Sequence, residues 1–141
     1  MNIRLGFPFI VFILIACSEE NNTPTGPIVD NFDPSGATLL KSGSFIGSGG
    51  YTVKGTASLY EKKGKKVLVL DPFNSSNGPD LRLYLSRDAN ANSFISLGLL
   101  KSTVGKQSYT VPGNPDIMES MHALIWCQQF SVKFGGSELM N

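Results

Sequence analysis

The sequence contains one histidine, His122, and two cysteines, Cys17 and Cys127, among 141 residues. That scarcity removes whole classes of chemistry. A tetrahedral zinc site, or a copper site of two histidines and a cysteine, needs more ligands than the chain owns. A Ser-His-Asp triad would have to use His122, and no G-x-S-x-G turn is present to carry its nucleophile. Nor is there a C-x-x-C-H for covalent haem or a glycine loop of the phosphate-cradling kind. An excess of charge is missing too: 12 basic residues stand against 11 acidic ones. Loss of Arg4 with an N-terminal leader would make them equal, which argues against a nucleic-acid binder or an electrostatic membrane module. Long apolar runs are also absent. Phe7 to Ile15 is too short to span a bilayer as a finished helix.

What the N-terminus does contain is an ordered set of export signals. Arg4 gives a short basic region and Phe7 to Ile15 an apolar one. Leu14-Ile15-Ala16-Cys17 then resembles the lipobox of bacterial lipoproteins. That resemblance implies a signal peptide over residues 1–16, diacylglycerol on the Cys17 sulfur and Cys17 as the first mature residue. It also implies a lipid-anchored protein of the bacterial cell envelope, at the outer membrane or cell surface. Several acyl chains on one residue exceed the threshold that a single chain fails to reach. Residues 17–37, polar and rich in proline and glycine, read as a flexible tether. Ser18-Glu19-Glu20 is similar to acidic tags that route some lipoproteins outward, and reads equally as solvated linker.

From Thr38 the pattern changes to period two. Fifteen glycines and eight prolines suit many turns between strands. Val53, Gly55, Ala57 and Leu59 share one face of a strand, and Lys54, Thr56, Ser58 and Tyr60 the other. A turn at Gly64 returns the chain through the more fully buried Val67–Leu70. The lysines around it (Lys62, Lys63, Lys65, Lys66) make a solvated hairpin tip that discourages edge pairing. After a loop over 71–80, Leu81, Leu83 and Leu85 face inward. Phe94–Leu100 is a strand or a short helical turn, Gly105–Pro112 holds a short strand, and the run after Pro115 suits one helical turn. Ala123–Phe134 reads as the longest apolar strand. The expected fold is all-β over residues 38–141, an antiparallel β-sandwich or alternatively a small β-barrel.

Few candidate sites remain. Asp71 and Asp80, with Asn74 and Asn77 between them, fit turn capping better than any calcium loop. His122 and Cys127 differ in strand parity, so they point to opposite faces. On a continuous strand, Trp126, Phe130, Val132 and Phe134 form the core face and place Cys127 opposite, beside Ile125. A packed cysteine prefers the apolar side, so two readings stay open: a working thiol, or an inert one covered on both faces.

A wider pattern bears on that choice. Gly43-Ser44-Phe45, Tyr51 with Val53-Lys54-Gly55-Thr56-Ala57, and Gly78-Pro79-Asp80-Leu81 with Tyr84-Leu85-Ser86 occur in order. They are followed by Leu97 to Lys101, Gly105 to Tyr109, and Ile125-Trp126-Cys127 with Phe130, Phe134 and Gly135. The ordered set resembles the DM-thirteen domain, an electron-transfer module of secreted and cell-surface proteins, over about Leu40 to Leu139. The resemblance implies a β-sandwich and a redox cysteine, Cys127, acting as a bare thiol or as a candidate haem ligand. With no second redox domain in this chain, the electron partner would be a separate redox or surface protein. Stand-alone enzyme activity is not expected. The rival is a non-catalytic binding or structural surface module in which Cys127 only packs.

Overall fold

Eight strands follow one another through the described residues, which in this computed structural model are 22–117 and 121–141 together with Gly6, Pro8 and Val11. They are β1 (Thr38–Gly47), β2 (Val53–Lys62), β3 (Lys65–Ser75), β4 (Leu81–Ser86), β5 (Phe94–Leu99), β6 (Gln107–Thr110), β7 (Met121–Cys127) and β8 (Val132–Leu139). All neighbouring pairs are antiparallel, in the order β5-β4-β7-β8-β1-β2-β3-β6. The two sheets meet at β1. Thr38 to Ser44 pairs with β2, and Phe45 to Gly47 with β8, so one strand turns the corner between layers. β5 and β6 are edges that never pair with each other, which makes the fold a sandwich and not a closed barrel. Among the described residues no helix is long and apolar enough to cross a membrane.

The alternations in β2 and β4 hold. Val53, Ala57 and Leu59 are buried, as are Leu81, Leu83 and Leu85. β5 resolves the ambiguous Phe94–Leu100 run as strand. β3 extends to Ser75, so half of the stretch expected as a loop pairs with β2 instead. Asn114 to Ile117 has no helical turn, and residues 118–120, where that turn was also expected, lie outside the described residues.

The largest correction concerns Ala123–Phe134. It is two strands, not one. β7 ends at Cys127, a turn occupies 128–131 with Ser131 at φ +52°, and β8 begins at Val132. The core face of β7 is Met121, Ala123, Ile125 and Cys127, while His122 and Trp126 point outward. Trp126 and Phe130 therefore leave the expected core face, and Cys127 joins it. The cause is the turn together with a bulge after Ile125, where Ile125 faces Gly135 and Trp126 faces Lys133. Each breaks the parity that a continuous strand would carry. Val132 and Phe134 do pack inward as expected.

Residues 22–33, part of the expected tether, run along the domain as a strap. The Thr23 amide donates to the Gly78 carbonyl, and the Thr103 amide to the Pro24 carbonyl. The Ser102 hydroxyl donates to the Gly26 carbonyl at 2.6 Å, and Lys106 Nζ to the Phe32 carbonyl at 2.9 Å. Phe32 packs on Tyr60 with ring centroids 5.4 Å apart, on the outer side of β2. Asp30 accepts both the amide and the hydroxyl of Ser108 at 2.8 Å. Ser108 lies on edge strand β6, so this carboxylate occupies a backbone donor that an edge would otherwise offer to another chain.

Burial raises the Asp30 carboxyl, but hydrogen bonds from Phe32 and Ser108, with the Lys101 charge, outweigh it and hold the group below its ordinary 3.8. A carboxylate depressed on folding stabilises fully well above its unfolded pKa and loses that contribution as pH falls through the folded value. The Ser108 amide shift followed by NMR should therefore inflect below pH 3.8. Asp30→Asn should make the strap cleavable at neutral pH under conditions that spare the wild type. An inflection at or above the ordinary value would contradict this account.

Candidate functional site

Cys127 is the last residue of β7, opposite Leu81 of β4 and Val132 of β8. Its thiol is free and its exposure is 0%. Both sheets enclose the surrounding core. Phe134 of β8 stacks on Tyr51 with centroids 3.7 Å apart and planes within 9°. Gly78 has no side chain for a physical reason: a Cβ there would lie 2.9 Å from the Phe134 ring and 3.1 Å from Leu81. The glycine thus lets the loop before β4 close over this end of the core. The neighbouring turn is tied down by one bond from the Gln128 amide to the Asp80 carbonyl at 3.0 Å, and closed by the Ser131 amide on the Gln128 carbonyl. None of the principal surface clefts is lined by Cys127.

This packing decides what the sulfur can do as it stands. A thiolate nucleophile must be reached by its target, and an axial haem ligand needs an open side toward the iron. Cys127 has neither, so the packed core does not fit a haem. The thiol sits at the end of a hairpin whose turn, Gln128 to Ser131, is exposed. Strand ends beside exposed turns open at lower free energy than strand centres.

The opposite face of the same sheet carries an aromatic row. Tyr84 of β4 stacks on Phe94 of β5 at 4.1 Å and lies 6.1 Å from Trp126 of β7. Burial holds the Tyr84 phenol above its ordinary pKa. Trp126 faces Arg82 across the β4–β7 pair, and Arg82 Nε is 2.9 Å from the Asp80 carboxylate. A pattern of polar-out residues would not reveal this row. The only signal in the sequence is an aromatic at an outward position on each of three strands.

The remaining candidates do not converge with Cys127. His122 lies on the outer face, between Ser86 and Glu138, as parity required. The Asn77 side chain caps the Gly78 amide, and Asp80 is engaged by Arg82. Among the described residues no three His, Cys, Asp or Glu side chains gather as a metal site. Cys17 lies outside the described residues. A second polar centre was missed entirely. Gln107, at 0% exposure, bonds the Ser102 and Gly105 carbonyls and receives the Tyr109 hydroxyl at 2.5 Å. Burial pushes the Tyr109 phenol up, so it stays a hydrogen-bond donor. These groups are mutually satisfied and hold the loop on which the strap docks.

Compared with known proteins, residues 44–139 match the family model described as Electron transfer DM13. No curated protein and no solved structure matches the chain.

Proposed function

Because the chain belongs to the Electron transfer DM13 family, we propose that it works as a lipid-anchored electron-transfer module of the bacterial cell envelope, with Cys127 as its redox group. One observation carries the second half: Cys127 is the sole cysteine of the family-matched region, and it ends β7 directly beside the exposed 128–131 turn. The lipobox motif supports the anchor. Acylation would convert Cys17 to a thioether, leaving Cys127 as the only thiol of the mature chain.

With no internal partner, the thiol exchanges with a disulfide on a separate redox protein. The deprotonated sulfur attacks one sulfur of that disulfide, its proton having passed to water. A mixed disulfide forms and the partner's other sulfur leaves as thiolate. In this exchange the Cys127 sulfur is oxidised by one level and the departing partner sulfur is reduced by one, so the disulfide is passed on and not lost. A second thiol then attacks the partner-side sulfur and returns Cys127 to its reduced form.

The rival reading, a surface binding module with an inert packed cysteine, draws on the zero exposure of the same residue. Thiol-reagent kinetics separate the two. The electron-transfer reading expects native protein to react slowly but under conditions far from global unfolding, and Cys127→Ala to abolish the mixed disulfide. An inert native thiol would favour the rival. So would a cost of about 1 kcal/mol or more for Cys127→Ala with no loss of any redox property. Cys127→Ser costs more in either case, because it buries a hydroxyl with no partner.

A further inference from the structure

The strap begins at one particular end of the sandwich. Asn22 and Thr23 line a cleft with Asp80, Arg82 and Leu99. The bond from the Gln128 amide to the Asp80 carbonyl sets the 128–131 turn beside that cleft. Two large apolar side chains are exposed there, Leu99 at 59% and Phe130 at 55%. Phe130 stands in an exposed turn, where packing gives no reason for an aromatic ring.

The docked strap also sets the length of the leash. From Cys17 to Asn22 the chain can reach at most about 18 Å, whatever its conformation. Were everything up to Thr38 free, the reach would be about 75 Å. A domain of this size has a radius of gyration near 13 Å and is roughly 30 Å across. A leash shorter than the body it holds keeps the far end of the sandwich off the surface and favours contact at the end where it is attached.

We infer that this end of the sandwich is seated on the phospholipid bilayer, with Leu99 and Phe130 at the boundary between headgroups and acyl chains. The inference rests on the lipid anchor proposed above. It goes further in naming which face of the domain meets lipid. The exposed start of the β7–β8 hairpin, and with it Cys127, then lies at the membrane side of the molecule.

Fluorescence of the full acylated chain in phosphatidylcholine–phosphatidylglycerol vesicles tests this. The chain has a single tryptophan, so Trp126→Phe gives a dark background. Phe130→Trp then reports the proposed lipid end. Met140→Trp reports the far end, exposed by 61% and beyond the eight residues of β8, about 25 Å away. Brominated acyl chains should lower emission from the Phe130→Trp protein about twofold and leave the Met140→Trp protein nearly unchanged. Mass spectrometry of the N-terminal peptide reads acylation in the same samples. An acylated chain with no quenching at position 130, or equal quenching at both, would overturn the seating and leave the anchor standing. An unacylated peptide would overturn the anchor, and the inference with it.

Discussion

Gly43→Ala is expected to prevent folding, not merely to weaken it. A Cβ at Gly43 would lie 2.0 Å from the Glu138 carbonyl oxygen and 2.7 Å from the Ser137 hydroxyl. The first of these atoms is backbone, so no rotamer change relieves the clash. β8 would have to retreat from β1 at the corner of the sandwich. That retreat strains the paired bonds between Ser42 and Met140, each 2.9 Å, and the β1–β8 ladder that follows. The cost belongs with the exceptional substitutions, above about 4–5 kcal/mol, against a total stability of about 5–15 kcal/mol for a domain. Soluble yield and a urea melt are the measurements. A cooperative transition within a few tenths of the wild-type midpoint would show that the corner is far more pliable than this.

Phe134→Ala should fold and be badly weakened. The ring is 1% exposed, stacks on Tyr51 and fills the space left by Gly78. Truncation of a buried phenylalanine costs about 3–5 kcal/mol. Phe134→Leu, which keeps most of the volume, should recover more than half of that loss. The two urea midpoints decide the matter. If alanine and leucine proved equally harmful, packing volume would be the wrong account. Gly78 beside it gives a second reading of the same space: the loop it belongs to closes against this ring, so Phe134→Ala should also speed thiol-reagent access to Cys127.

The strands that could be read from the sequence are those with one wet face. β2 sets lysine, threonine and serine against valine, alanine and leucine, and β4 sets arginine against leucine, so alternation alone fixed the inward side. β7 offered no such contrast. Ile125 and Cys127 lie inside, Leu124 and Trp126 outside, and all are apolar. Without a polar side, period two cannot choose between the faces, and a slip of one residue exchanges them. The turn after Cys127 was silent as well. Gln128-Gln129-Phe130-Ser131 has no glycine, proline, asparagine or aspartate, and the left-handed position is filled by Ser131. The facing of the candidate site residue was therefore the part least legible. The strap was hidden for another reason. Most of its bonds involve backbone carbonyls, at Gly78, Pro24, Gly26 and Phe32, which any sequence would supply. Asp30, Phe32 and Thr23, whose hydroxyl donates to the Gly78 carbonyl, left side-chain traces.

β1 also determines how the molecule comes apart. Its first residues belong to one hydrogen-bonded layer and its last three to the other, so melting either layer removes part of the strand that completes its counterpart. The sandwich is therefore expected to unfold as a single cooperative unit, with coincident transitions in both layers. The strap stands outside that unit. It joins no ladder, so its amides can exchange with solvent through small openings, while those of β1 wait for the whole domain to unfold.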